Sequence, residues 1–495
     1  MEKELWSSRG AFIMAAVGSA VGLGNLWRFP YVVYENGGGA FLIPWVVALV
    51  TAGIPLLMLE FALGHMMRAG APKSFHNIAR SSWVGWGCLL NGFVIVSYYA
   101  VVMGWVFVYL YYSIGVQWGD RAEEFFFKDF LGLSSGPGEL GGMRWPVLLG
   151  LVLTWISIFL IIFKGVRVVG KVVAVTVPLP ALLILLFVAR GMTLDGALEG
   201  LKFYLKPDFS KLLDPKVWLA AYAQVFFSLS LAFGIMVAYA SYLHERSDVV
   251  GSAIITAALD AGISFVAGFA VFSVLGYLAF QKGVGVPEVV AGGPSLAFVT
   301  YPTAIKLLPF GASFFGLCFF LMLLTLGIDS AFSLVEAFVA GVKDVWNISR
   351  TKATLISCLL PMIGGLIFCT KGGLYWLDIV DHFITNFGLT FFGAVECLVV
   401  ALFGRRILKE HMNRVSKIKV GKWWDFCIGV LTPLILVISI VMNLIERIRK
   451  PYEGYPGWAL ALGGWGVVAL VIIAALILGY LSRRRFERLN SGPVS

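Results

Sequence analysis

The chain has 495 residues, 59% of them hydrophobic and only 13% charged, with a mean hydropathy of +0.88 and a formal net charge of +10. That balance is too apolar and too sparsely charged for a soluble domain, so the sequence reads as a polytopic membrane protein. A nucleic-acid role for the positive charge is the weaker reading, because basic segments beside anionic lipid headgroups account for it.

At roughly 20 to 25 residues per crossing, twelve spans are predicted near residues 11–33, 38–66, 84–115, 146–163, 168–190, 217–243, 249–280, 308–343, 352–370, 374–403, 424–446 and 457–482. The opening MEKELWSSRG has no basic lead into a short apolar core and no small-residue cleavage site, so the first span is expected to be retained and to start in the cytoplasm. Lys and Arg are in excess in the segments this places inside. Most of the excess is Arg405, Arg406, Lys409, Arg414, Lys417, Lys419 and Lys422, read as a loop, with the tail Arg483, Arg484, Arg485 and Arg488. Both termini are therefore expected on the cytoplasmic side of a cell membrane. No soluble linker interrupts the chain, so residues 1–495 are expected to form one transmembrane unit.

The first span is interrupted by Ser19-Ala20-Val21-Gly22-Leu23-Gly24-Asn25. Gly costs about 1 kcal/mol relative to Ala in a helix interior, and an unpaired backbone group in hydrocarbon costs several, so a break survives where it lines a site. The sixth span carries a second interruption, Ser228-Leu229-Ser230-Leu231-Ala232-Phe233-Gly234. Paired breaks in two halves of a chain point to a transporter's binding site. Five spans per half, 11–190 and 217–403, put the breaks in corresponding positions of an inverted repeat, with 424–482 added after it.

Ionisable groups inside a membrane cost about 2.5 to 3.5 kcal/mol each, which makes Arg28, Glu60, Asp260, Asp329, Asp378, Asp381 and Glu396 candidates, with Lys343 and Asp344 near an inner end. At the first break, the Leu23 and Gly24 amides can receive a carboxylate at a half-helix start. Carbonyls of Gly18, Ala20 and Val21, released from helical pairing, can coordinate a hard cation. Asn25, Ser228, Asp260, Asp329 and Ser330 can complete the oxygen set, a combination that suits sodium and a zwitterion. The bland alternative is that the glycines only permit close helix packing. Glu60 reads as a cap for unwound backbone, and Tyr98, Tyr99, Phe227 and Phe233 taken alone read as core aromatics. Arg28 and Asp381 can pair across a vestibule, although spacing alone does not show it. The five histidines have no metal spacing, with His65 and His76 expected in a solvated inner loop, and the six cysteines read as packing residues. Neither a nucleotide-binding motif nor a catalytic arrangement is present, so no enzyme is expected.

Residues 18–45 (GSAVGLGNLWRFPYVVYENGGGAFLIPW), 53–64 (GIPLLMLEFALG), Tyr98-Tyr99, 224–234 (QVFFSLSLAFG), 264–279 (SFVAGFAVFSVLGYLA), 325–330 (TLGIDS) and the region of Asp381 closely resemble the neurotransmitter:sodium symporter family, which includes bacterial leucine transporters. The resemblance implies an all-α fold of twelve transmembrane helices, a 5+5 inverted repeat with helices 1 and 6 discontinuous, and two extra C-terminal helices. It implies one sodium site at the Ala20 carbonyl, Asn25, Ser228 and Asp260, and another at the Gly18, Val21 and Leu326 carbonyls with Asp329 and Ser330. The implied substrate pocket comprises Ser19, Ala20, Leu23, Gly24, Ile95, Tyr99, Phe227, Ser228, Ser230, Phe233, Ser330 and Leu334. An outer gate would pair Arg28 with Asp381 and close Tyr99 on Phe227. An inner gate would join Lys3 and Trp6 to Asp344, Ser241 and Tyr242, with Lys3 standing where the family usually has Arg.

Two departures refine the expectation. Monoamine carriers of the family have Asp where this chain has Gly22, so a substrate bringing its own carboxylate is expected. Chloride-dependent members have Tyr at Trp45 and Asn at Asp260, and a fixed carboxylate can replace the mobile anion, although Ser264 and Gln224 still match the chloride pattern. The expected activity is sodium-coupled symport of a medium-sized apolar amino acid by alternating access, without a chloride requirement; an oligomer is compatible with it. The rivals are a GABA, betaine or other osmolyte carrier, a membrane sensor that binds without transporting, and an enzyme using Asp260 and Asp329 as an acid pair.

Overall fold

A computed structural model describes residues 4–490, with side chains to Arg488. The described chain is helical, and its sole β feature is an isolated bridge between Met143 and Thr370. Ten helices are long and apolar enough to cross a membrane: Gly38–Met67, Ser82–Tyr112, Trp145–Ile162, Val166–Met192, Val249–Lys282, Ala312–Trp346, Arg350–Cys369, Gly373–Val415, Lys422–Gly454 and Gly457–Arg488. An eleventh candidate is the pair Arg9–Ala20 and Leu23–Glu35, bent by 53°. Two further helices, Pro215–Ser228 and Ile235–Ser241, are separated by six residues and are each too short to cross alone.

The termini of these helices follow local chemistry. Ser8 accepts from the Ala11 amide at 3.1 Å and starts the first helix. Asp214 accepts from the Lys216 amide ahead of Pro215, whose missing N–H costs nothing in a first turn. Asp248 caps Val249–Lys282 through the Gly251 amide.

The long helices Ser82–Tyr112, Val249–Lys282 and Ala312–Trp346 are mostly buried, whereas Lys422–Gly454 and Gly457–Arg488 expose most of their apolar surface. Such exposure suits hydrocarbon rather than water. Val249–Lys282 and Ala312–Trp346 pack on the first broken element, Gly38–Met67 packs on the second, and Ala312–Trp346 runs along Ser82–Tyr112.

Two sequence expectations require correction. The basic segment from residue 405 is not a loop at its start, because helix Arg405–Val415 continues from the preceding span. His65 is not solvated; it lies inside Ile54–Met67 at 3% exposure. Its Nδ1 is 2.8 Å from His411 Nε2, and its Nε2 is 2.9 Å from the His244 carbonyl. That carbonyl can only accept and the Arg414 guanidinium, 3.2 Å from His411 Nδ1, can only donate. The donor direction therefore runs Arg414 to His411 to His65 to His244, with both imidazoles neutral. His76, outside the spans, is half-buried against the Phe486 ring, and burial lowers its pKa below the usual histidine value.

Candidate binding site at the two helix breaks

Val21 and Gly22 separate the first pair of helices, both in extended conformation. The Asn25 side-chain oxygen accepts from the Gly22 amide at 2.9 Å and so restarts the helix. A Cβ at Gly22 would lie 2.7 Å from Ser330 Oγ and 3.6 Å from the Tyr99 hydroxyl, so a larger residue here would displace the Ser330 hydroxyl.

In the second break Ser230, Ala232 and Gly234 all have positive φ, at 52°, 61° and 72°. A left-handed conformation costs an L-residue about 1 to 2 kcal/mol, so contacts must hold Ser230 and Ala232 in place. Glu60, fully buried, accepts from the Ala232 amide at 2.7 Å, the capping role read from the sequence. The Ser230 hydroxyl donates to the Ser19 carbonyl at 3.0 Å, where Ser330 also donates at 3.1 Å. One carbonyl of the first break is thereby tied to the second break and to helix Ala312–Trp346.

A cavity of about 60 Å³ lies between the breaks. All twelve residues expected to form the substrate pocket line it: Ser19, Ala20, Leu23, Gly24, Ile95, Tyr99, Phe227, Ser228, Ser230, Phe233, Ser330 and Leu334. Gly22, Asn25, Gln224 and Ile235 line it too. The Tyr99 hydroxyl and Ser330 Oγ both approach the Gly22 position. Polar groups gather at the breaks, while Ile95, Phe233, Ile235 and Leu334 supply an apolar wall.

Asp260 and Asp329, at 2% and 1% exposure, sit in separate oxygen-rich clusters. Asn25 Nδ2 lies 2.7 Å from Asp260 Oδ1 and from Ser264 Oγ, and 3.1 Å from Ser228 Oγ. Ser228 Oγ lies 2.8 Å from Asp260 Oδ2. Asp329 is met by Thr176, whose hydroxyl oxygen is 2.8 Å from both carboxylate oxygens. Gly18 passes close by, since a Cβ there would lie 2.7 Å from Asp329 Oδ2. Neither carboxylate forms an ion pair among the described residues. A buried carboxylate with neutral donors only is a cation acceptor in waiting, and carbonyls of unwound helix beside it are the donor type sodium takes. The donor sets at Ala20, Asn25, Ser228 and Asp260, and at Gly18, Val21, Leu326, Asp329 and Ser330, fit sodium in kind. Ser330 has its hydroxyl committed to the Ser19 carbonyl.

The gates differ from expectation in detail. Arg28 and Asp381 make no ion pair; Asp381 accepts from the Tyr98 hydroxyl at 2.5 Å, and the Arg28 guanidinium lies over the Phe227 ring, 4.9 Å from its centroid. The adjacent aromatic, Tyr98, thus takes the partner assigned to Arg28. Phe227 pairs with Phe233, centroids 6.4 Å apart, and no ring contact joins it to Tyr99. Phe227 also borders a small chamber that Arg28 shares with a cleft of about 410 Å³. The Arg28–Phe227 contact therefore stands between the binding cavity and the wider cleft.

At the other end, Trp6 bonds the carbonyls of Tyr242 (3.0 Å) and Tyr239 (2.8 Å). Ser241 bonds its own helix at Ala238, and Asp344 accepts from the Gly70 amide at 2.7 Å. Lys3 lies outside the described residues. Among the described residues the ion pairs at this end are Arg350 on Glu336 at 2.5 Å and on Glu4 at 3.3 Å, with Tyr242 donating to Glu336 at 3.2 Å. Glu336, buried in an apolar span, carried the signal that ionisable groups there always carry and was missed among the candidates.

The family model described as the sodium:neurotransmitter symporter family matches residues 3–121 and 116–484. An uncharacterized sodium-dependent transporter of Methanocaldococcus jannaschii is 43% identical, the match covering 97% of this chain and 98% of the relative. A sodium- and chloride-dependent taurine transporter of Rattus norvegicus is 33% identical, covering 97% and 85%, and a sodium- and chloride-dependent creatine transporter 1 of Mus musculus is 33% identical, covering 98% and 84%. With the fold and these matches together, the chain belongs to the sodium:neurotransmitter symporter family of sodium-dependent membrane transporters and is not an enzyme.

Proposed function

We propose that the chain carries a compact, apolar amino acid together with two sodium ions by alternating access. The observation that carries this reading is the convergence of both helix breaks on one cavity, with buried Asp260 bonded to two of its lining residues, Asn25 and Ser228, and buried Asp329 next in the chain to a third, Ser330. The Leu23 and Gly24 amides and one sodium would receive the substrate carboxylate, while Ile95, Phe233 and Leu334 would meet its side chain. Water takes about 10 to 15 Å³ on the same measure, so a cavity of about 60 Å³ favours a small substrate. Contact between the first sodium and the carboxylate would make each ligand's binding favour the other's.

In this reading Pro215–Ser228 and Ile235–Ser241 form the sixth of twelve spans, and residues 11–190 and 217–403 form the inverted repeat. Both termini lie in the cytoplasm of a cell membrane. Chloride is not required, because Asp260 supplies a fixed negative charge beside the first sodium and Trp45 offers no hydroxyl. A second reading takes its support from the taurine and creatine relatives: an osmolyte or β/γ-amino substrate, with the same sodium chemistry.

The deciding experiment screens the purified chain for binding of the twenty amino acids, taurine, creatine, GABA and betaine, with and without sodium, followed by counterflow in proteoliposomes. Sodium-dependent binding and counterflow of an apolar α-amino acid are expected. Binding of taurine or creatine alone would move the assignment to the second reading, and binding without counterflow would make the chain a sensor.

A further inference from the structure

Thr176 is a side chain on Asp329 that the proposed sodium sites leave unused. Its hydroxyl oxygen lies 2.8 Å from each carboxylate oxygen of Asp329 and 3.1 Å from the Val172 carbonyl. A hydroxyl has one proton, so only one of these three acceptors can receive it. Four oxygens therefore meet around a single proton, beside a nearly fully buried carboxylate that has no cationic partner among the described residues. Gly18, whose backbone passes close to the same carboxylate, brings the first break alongside. Helix Val166–Thr176 ends at Thr176, and the next helix starts at Pro178, which cannot continue the amide ladder. The hydroxyl is thus fixed at a helix end that faces Asp329.

We propose that Thr176 Oγ1 is a ligand of the second sodium, contributed by the fifth span and additional to the set at Gly18, Val21, Leu326, Asp329 and Ser330; this rests on the proposed sodium site. Without the ion the hydroxyl donates to Asp329 and partly satisfies the buried charge. When sodium enters, the hydroxyl proton turns to the Val172 carbonyl and a lone pair of Oγ1 turns to the ion. No group changes its protonation state, and the fifth span stays linked to Asp329 in both conditions. The same rotation places the second sodium in contact with three elements, since Gly18 belongs to the first half-helix and Asp329 to Ala312–Trp346.

The test is equilibrium binding of sodium alone to the purified full chain, using radioactive sodium, for wild type, Thr176→Val, Thr176→Ala, Thr176→Ser and Asp329→Ala. Valine keeps the shape and removes the ligand oxygen. Sodium affinity should fall roughly tenfold to a hundredfold in Thr176→Val, the range for a hydrogen-bond-like contact to a charge, and return towards wild type in Thr176→Ser. If Thr176 only occupies Asp329 while the ion is absent, Thr176→Val binds sodium more tightly; that result, or an unchanged affinity, overturns the proposal. Thr176→Ala, which also lacks the oxygen, distinguishes the same outcomes should the valine variant fail to fold. Wild-type sodium affinity in Asp329→Ala would instead overturn the site itself, which separates the two failures.

Discussion

Removing the Glu60 side chain isolates what the second break contributes to binding. In Glu60→Ala the Ala232 amide, now accepted at 2.7 Å by a fully buried carboxylate, loses its partner while Ala232 stays at φ 61°. A buried donor left unsatisfied costs about 1 to 3 kcal/mol. The break must then either keep its shape at that cost or relax out of the geometry that presents Ser228 and Ser230 to the cavity. Either way, substrate affinity measured with saturating sodium in detergent should fall roughly fivefold to a hundredfold, with a lowered Tm. Glu60→Gln keeps an acceptor oxygen and replaces only the oxygen that has no hydrogen-bond partner, so it should retain most of the affinity. Wild-type binding by Glu60→Ala, or equal damage from both substitutions, would refute the capping argument.

Three further outcomes are expected. Shrinking Ile95 or Leu334 to Ala should shift preference towards bulkier substrates by about 1 to 3 kcal/mol per contact, and unchanged selectivity in both would remove them from the pocket wall. Tyr98→Phe releases Asp381 from the tyrosine that bonds it, so uptake should slow more than equilibrium binding weakens, as for Arg28→Ala and Asp381→Ala; an equal loss of affinity would place the tyrosine in the substrate site. Replacing chloride by gluconate should leave wild-type uptake unchanged, whereas Asp260→Asn should be slow and chloride-stimulated; strong chloride dependence of the wild type would show that Asp260 does not supply the compensating charge.

The helix breaks were legible because their composition contradicts their setting: glycine and polar residues in otherwise apolar spans are costly enough to need a reason. Glu60 was legible for the same reason, being an acid inside a span. Thr176 was not, since threonine is common in membrane helices and usually bonds its own i−4 carbonyl; only tertiary packing aims it at Asp329. The ion-pair partners were also outside the reach of the sequence. Arg28 and Asp381 mark the same region, yet Tyr98 and Phe227 take their side chains, because hydroxyl and ring geometry at a few ångströms decide between charges that sequence spacing treats alike. His65 shows the opposite failure: read as a polar loop residue, it sits buried because two neighbours satisfy both of its nitrogens.

The Ser19 carbonyl explains how a small site can communicate with two large elements. It accepts from Ser230 in the second break and from Ser330 on Ala312–Trp346, so any movement of the first break strains two hydrogen bonds at once. Asp329, the residue preceding Ser330, holds the Thr176 contact, and Ser228, two residues before Ser230, bonds Asp260. A cation arriving at either carboxylate therefore acts on an element already bonded to Ser19. That arrangement lets sodium and substrate favour one another through packed, two-position contacts without a long pathway, and linkage requires the favour to be reciprocal. The geometry accordingly predicts more than sodium-dependent binding: substrate must tighten sodium by the same factor by which sodium tightens substrate, a relation that titration in both directions measures directly.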